Sequence, residues 1–333
     1  MATIYGDMEG EGTLEARAKA QTLTGVDGEI NYIYGDAYLI EGTRGGNDVL
    51  TGGASSRFNF LYGDGNQMSA SHGGNDVLTV GASSRFNYIY GDAYQMSASH
   101  GGNDVLTGGA SSQFNDLYGD ANEMSASHGG NDVLTGGASS LINYLYGDAY
   151  QMSASHGGND VLTGGASSLI NYIYGDAYNM SESHGGNDIL IASDNPDTGA
   201  FVTNNRLYGD ALYHLNGNVI CGNDRLVSGT GNDDMWGDVA YSGYTSGPVD
   251  LNRVTTGHDI FVFSANNGND TIHDFRQGED KIELQGIGVE SFDALMAASH
   301  LSQGDTNTVI TFGSNTITVI GITELSAADF LFT

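Results

Sequence analysis

Two ranks of carboxylates recur along this chain at a spacing of 28 residues. One rank is Asp48, Asp76, Asp104, Asp132, Asp160 and Asp188, each closing a Gly-Gly-Asn-Asp phrase that opens at Gly45, Gly73, Gly101, Gly129, Gly157 and Gly185. The other is Asp36, Asp64, Asp92, Asp120, Asp148 and Asp176, each closing a Tyr-Gly-Asp phrase. Adjacent glycines permit a tight positive-φ turn in which carbonyl oxygens converge, and the aspartate adds a carboxylate there. This is hard-oxygen chemistry. It suits Ca²⁺, which takes roughly six to eight flexible oxygen ligands, better than Mg²⁺ or Zn²⁺. Asp210, Asp224, Asp233 and Asp238, with Gly229 and Gly231, extend the candidate ligands beyond the regular copies. Several Ca²⁺ ions are the expected cofactor, with the convergence of particular carboxylates left open.

Ligands repeated in register need elements repeated in register. The spacing predicts two short strands and two turns per period. In the first strand, Leu78 of Val77-Leu78-Thr79 points inward and its neighbours outward, and Leu50, Leu106, Leu134 and Leu162 fill the same slot. In the second, Ser84-Arg85-Phe86-Asn87-Tyr88-Ile89-Tyr90, Ile89 points inward, while Phe58, Phe86, Phe114, Ile142 and Ile170 are expected to thicken the core. One such unit cannot bury its own apolar side chains, so copies must stack around a thin continuous core. Asn59, Asn87, Asn115, Asn143 and Asn171 occupy the place that aspartate holds in the first half. A stacked amide ladder is expected there, leaving one edge of the coil richer in calcium.

Composition narrows the class. The chain has 41 acidic against 10 basic residues, a formal charge of −31, and 51 glycines against 2 prolines. That excess repels a compact state unless cations neutralise it, and it argues against nucleic acid as a partner. Cys221 is the single cysteine, so neither a disulfide framework nor a cysteine zinc cluster staples the fold. There is no apolar run of about 20 residues for a membrane span. The start, Ile4-Tyr5-Gly6-Asp7, reads as a repeat fragment rather than a signal peptide.

Ser228-Gly229-Thr230-Gly231-Asn232-Asp233-Asp234-Met235-Trp236, with Cys221-Gly222-Asn223-Asp224-Arg225-Leu226 upstream, resembles the calcium-binding nonapeptide of repeats-in-toxin (RTX, haemolysin-type) β-rolls. The 28-residue copies resemble it more loosely. Two nonapeptides make 18 residues, so about ten per coil are expected to loop out. Gly257-His258-Asp259-Ile260-Phe261, Gly268-Asn269-Asp270-Thr271-Ile272 and Gly278-Glu279-Asp280-Lys281-Ile282 resemble the segment that closes many such rolls. Leu325-Ser326-Ala327-Ala328-Asp329-Phe330-Leu331-Phe332 is similar to the uncleaved C-terminal signal read by type I secretion systems. The resemblance implies export while unfolded, followed by calcium-triggered folding outside the cell. A thin acidic coil is independently expected to need its ions, because ion-binding free energy becomes folding free energy.

Other ladders admit a functional and a plainer reading. His72, His100, His128, His156 and His184 offer transition-metal or pH chemistry, against loop residues copied with the repeat. Met68, Met96, Met124, Met152 and Met180 read as loop anchors. Tyr62, Tyr90, Tyr118, Tyr146 and Tyr174, beginning from Tyr34, are expected to stack at about 4.8 Å. They form either an exposed strip for polysaccharide or protein, or a strip covered by the Ala-Tyr-Gln-Met-Ser-Ala-Ser insertion. Val-x-Thr ranks on the opposite face raise ice binding as a minor reading. No zinc-protease helix, nucleophile elbow or phosphate loop is present in the sequence, and no effector domain is expected.

The resulting expectation is an all-β parallel β-roll over 1–245, regular from 30 to 192 and irregular from 193 to 245 after the Ala192-Ser193-Asp194-Asn195-Pro196 break. A β-rich cap carrying the export signal is expected over 246–333. The expected function is a secreted, non-enzymatic calcium-binding scaffold at the cell surface or in the extracellular matrix, exported by a type I apparatus. Alternatives are an adhesin-like module using the tyrosine ladder, or a self-assembling layer or filament subunit.

Overall fold

The computed structural model describes residues 1–8, 12–14, 16–193, 204–243, 248–298 and 300–333. The Asp194-Asn195-Pro196 part of the expected break lies outside the described residues. The chain is a parallel β-solenoid, but each coil has three strands rather than two. In one coil the chain runs through Phe86–Tyr90, Ala93–Ser97 and Val105–Thr107. Stacked copies build a 13-stranded front sheet, a 9-stranded arm sheet and an 11-stranded back sheet. Register follows the repeat, with Ile89 beside Leu117, Met96 beside Met124 and Leu106 beside Leu134.

The third strand is the segment expected to loop out. Ala93 and Met96 are buried, Tyr94 and Gln95 half-buried, so the arm strand departs from strict two-residue alternation. The chain reverses at Ala98, which is held at a left-handed φ of 51°. It returns past His100, which bridges to His72 and His128. The arm therefore encloses its own core, in which Ala93, Ala121 and Ala149 pack with Met68, Met96, Met124 and Met152. These methionines are core residues and not loop anchors, each at most 2% exposed. The main core lies between front and back sheets and is formed by Leu61, Leu78, Ile89, Leu106, Leu117 and Leu134, all fully buried. Phe58, Phe86 and Phe114 do not join it. Spaced two residues from Phe60, Tyr88 and Asp116, they share the outer face of the front sheet, where Phe58 stacks on Phe86 at 5.1 Å under Arg57 and Arg85.

The front and back sheets continue beyond residue 245 through Ile260–Ser264, Asn269–Ile272 and Lys281–Gln285. Asn315–Ile320 then continues the front sheet parallel to Asn269–Ile272, and Asn307–Phe312 pairs with it antiparallel. With the helix Phe292–Ala297, capped by the Ser291 side chain, this pair packs Leu295, Ile310, Ile317 and Val319 onto the core. The last strand, Phe330–Phe332, pairs with Ile282, Glu283 and Leu284. No helix among the described residues is long and apolar enough to cross a membrane.

Candidate metal centre

The two aspartate ranks meet where the arm leaves and rejoins the main coil. In the Gly-Gly-Asn-Asp rank each Oδ1 accepts a backbone N–H from the aspartate one coil before it. The bonds run Asp48 to Asp76 at 2.6 Å, Asp76 to Asp104 at 2.6 Å, Asp104 to Asp132 at 2.7 Å and Asp132 to Asp160 at 2.7 Å. The file continues through Asp188, Asp224 and Asp259 to Asp280. In the Tyr-Gly-Asp rank the carboxylates accept from the second glycine of the facing phrase, as Gly46 to Asp36 at 2.9 Å, Gly158 to Asp148 at 2.9 Å and Gly222 to Asp210 at 2.8 Å.

One oxygen of most of these groups is tied and the other is not. Oδ2 of Asp48, Asp76, Asp104, Asp132, Asp160, Asp188, Asp224 and Asp259 is buried without a hydrogen-bond partner, as are Oδ1 of Asp36 and Oδ2 of Asp148, Asp176 and Asp210. An unpaired buried carboxylate is among the costliest groups a fold can carry. Burial, reinforced in Asp48 by Asp36, pushes the Asp48 carboxyl up to about 8. Burial pushes Asp36 and Asp92 up to about 6 and raises Asp64, Asp76, Asp104, Asp120, Asp132, Asp160, Asp176 and Asp188 well above the usual carboxylate range. In all of the latter group neighbouring carboxylates add to the rise.

The glycines serve this approach. None of Gly45, Gly73, Gly101, Gly129, Gly157 and Gly185 has a positive φ, so the left-handed turn expected there is not formed. A Cβ at Gly101 would lie 1.6 Å from Asp120 Oδ1, and one at Gly102 would lie 1.4 Å from the Gly74 carbonyl oxygen. Glycine is required here for close contact between coils rather than for backbone freedom. Orphaned oxygens, a cradle that a Cβ would fill and an all-oxygen donor set together fit a hard divalent cation.

The opposite edge is satisfied. Asn59 donates to Asn87 at 2.9 Å, Asn87 to Asn115 at 2.8 Å and Asn115 to Asn143 at 2.8 Å, the ladder passing through Asn171 and Asn205 to Asp233. The amide ladder expected there is present, and the unpaired carboxylate oxygens collect on the aspartate edge. At Asp233, where the sequence reads Gly229-Thr230-Gly231-Asn232-Asp233, the second edge changes to carboxylate. Gly229 N–H donates to Asp233 at 2.9 Å, and Asp270 follows one coil later. Asp259, Asp270, Asp274 and Asp280 lie beyond the sequence candidates; Gly-His-Asp, Gly-Asn-Asp and Gly-Glu-Asp carry the signal for Asp259, Asp270 and Asp280, and Asp274, in Ile272-His273-Asp274, follows no such phrase. Asp274 accepts from Gly237 and Asp238, and Arg276 ion-pairs with Asp238 at this end of the file.

The tyrosine column stacks with centroids 4.7–5.0 Å apart from Tyr34 to Tyr174. It is not an exposed strip. Tyr62, Tyr90, Tyr118, Tyr146 and Tyr174 are 2–6% exposed. The arm turns back at the Gly-Asp corner and lays its own rings edge-on against them, Tyr94 on Tyr90 at 5.7 Å and Tyr150 on Tyr146 at 5.9 Å. His72, His100, His128 and His156 stack 4.8 Å apart on the exposed return segment.

Residues 40–331 match the family described as peptidase M10 serralysin C terminal. No curated protein matches the chain. Among solved structures, the extracellular lipase LipA from Serratia marcescens is similar at 13% identity and a TM-score of 0.24, over 78% of this chain and 45% of the lipase. The chain thus spans less than half the length of that protein.

Proposed function

From the premise that this chain belongs to the serralysin C-terminal family, the calcium-binding β-roll family of the repeats-in-toxin proteins, we propose that it is a secreted, calcium-folded scaffold without catalytic activity of its own. It acts at the cell surface or in the extracellular matrix. Ca²⁺ would be held between successive coils by the Asp48 and Asp36 ranks, and at the second edge by Asp233 and Asp270. The observation that carries this reading is the continuous file of buried carboxylate oxygens with no hydrogen-bond partner. A chain in this state resists folding until cations arrive, so low cytosolic calcium would keep it exportable by a type I apparatus, and extracellular calcium would fold it. Weak sites, with Kd of roughly 10⁻⁴ to 10⁻³ M, are sufficient outside the cell. The C-terminal segment 325–332 supports the same order of events, since Leu325 and Phe330 are buried once the coil has formed.

Size-exclusion chromatography with light scattering, in chelator and again in millimolar calcium, tests the proposal. The expected result is an expanded monomer that becomes a compact monomer with calcium. Full β structure by circular dichroism in excess chelator would remove the metal-dependent part of the reading. Large assemblies appearing only with calcium would replace the scaffold by a self-assembling layer subunit.

A further inference from the structure

We propose that Asp210, Cys221 and Asp238 form a separate site for a thiophilic divalent cation of the zinc class, set into a ladder otherwise built of oxygen. Cys221-Gly222-Asn223-Asp224 continues the Gly-Gly-Asn-Asp column, with Cys221 in the slot of the first glycine. That slot looks directly into the carboxylate file. A Cβ at Gly157 would lie 1.9 Å from Asp176 Oδ1 and 2.5 Å from Asp148 Oδ2, and one at Gly185 would lie 1.9 Å from Asp210 Oδ1 and 2.5 Å from Asp176 Oδ2. A side chain in this slot is therefore directed between the carboxylates of two successive coils. In the coil of Cys221 those carboxylates are Asp210 and Asp238. Ligand atoms of the three residues lie within 4.8 Å of one another, and the residues are 0%, 8% and 1% exposed.

The Cys221 thiol hydrogen-bonds to the carboxyls of both Asp210 and Asp238, the other carboxylate partners are defined, and one oxygen is left over. Asp210 Oδ1 accepts from Gly222 N–H at 2.8 Å, while Asp210 Oδ2 is buried with no partner. Asp238 Oδ1 accepts from Gly257 N–H at 2.7 Å, and Asp238 Oδ2 pairs with Arg276. Calcium gains little at this rung. A sulfur stands in the space that glycine leaves to oxygen elsewhere, and Arg276 has already neutralised one carboxylate. A zinc-class ion accepts the sulfur and needs only about four ligands. On binding, the metal–sulfur bond replaces the S–H bond and the proton passes to solvent, with no change of oxidation state. Two carboxylates and a thiolate set against the Arg276 guanidinium then leave two negative charges, which a single dication neutralises.

The test uses the full chain in millimolar calcium, with circular dichroism confirming that the coil has formed. Cadmium alone is added as the probe. One equivalent is expected to bind with a thiolate-to-cadmium charge-transfer absorption, which zinc displaces and a thousandfold excess of calcium does not. Cys221→Gly restores the residue found in the six regular copies and so keeps the fold; it should lose both the band and the equivalent. Asp210→Asn should keep the band and weaken cadmium binding at least tenfold. Absence of the band in folded protein, its survival in Cys221→Gly, or its loss to excess calcium would each overturn the assignment. Unchanged affinity in Asp210→Asn would remove Asp210 from the site. The dichroism in calcium reports on the calcium reading separately.

Discussion

At the scale of single residues, the difference between one edge of the coil and the other is the difference between a carboxylate and an amide. Asn115 can donate to the next asparagine and accept from the previous one, so its column closes on itself. Asp132, when ionised, can only accept. Its Oδ1 takes the Asp104 N–H, and its Oδ2 stays unpaired beside Gly119, whose Cβ would lie 2.2 Å away. Asp132→Asn keeps the first bond through the amide oxygen and removes the charge. The calcium midpoint for folding should rise about tenfold, equivalent to about 1.4 kcal/mol, while the metal-free chain becomes more ordered. Calcium titrations of both proteins by circular dichroism measure the shift, and an unchanged midpoint would take Asp132 out of the ligand set.

At the scale of elements, the arm sheet makes the coil three-sided and closes the tyrosine column into a reentrant corner. Beside that column on the front sheet runs a second aromatic rank, Tyr32, Phe60 and Tyr88, then Tyr144 and Tyr172, stacked at 4.7–5.0 Å where rings are adjacent. Asp116 interrupts it, pairing in register with Tyr88 on one side and Tyr144 on the other. Burial pushes its carboxyl up to about 7, and its Oδ1 has no partner. Asp116→Tyr removes an unpaired buried oxygen and adds two ring contacts, each worth about 0.5–1.5 kcal/mol. The variant should melt a few degrees higher at saturating calcium. A lower melting temperature would mean that the rank does not accept a ring at this position.

At the scale of the whole molecule, pH should act in opposite senses with and without metal. An unfolded aspartate titrates near 3.9. Burial holds Asp36 and Asp148 at about 6 and Asp48 and Asp210 at about 8 in the metal-free coil. Between these values the folded chain binds more protons than the unfolded one, so metal-free stability is greatest below about pH 4 and falls as pH rises through 6 to 8. In chelator, β structure measured by circular dichroism should therefore be greater at pH 5 than at pH 8. In calcium the carboxylates must be ionised to bind, so the midpoint should move to lower calcium as pH rises. A metal-free signal that increases from pH 5 to pH 8 would contradict the burial of protonated carboxyls.

The 28-residue period, Leu78 and Ile89 turned inward, the amide ladder at Asn87 and the two in-register ranks of aspartate were all legible in the sequence, because each depends on residue type at a fixed spacing. The arm strand was not. Ala93 and Met96 are both buried although three residues apart, which two-residue alternation does not anticipate, and the same departure hid the methionine core. Nor could spacing tell whether Tyr90 was bare or covered, since its cover, Tyr94, depends on the angle at which the arm leaves Gly91 and Asp92. The meeting of the two aspartate ranks, and the direction of Cys221 into the file, likewise required the folded coil. A repeat determines which residues stack on their own copies, because that contact is made at a constant separation along the chain. How the sides of one coil close on each other depends on turn angles and packing within it, and the tertiary structure decided that.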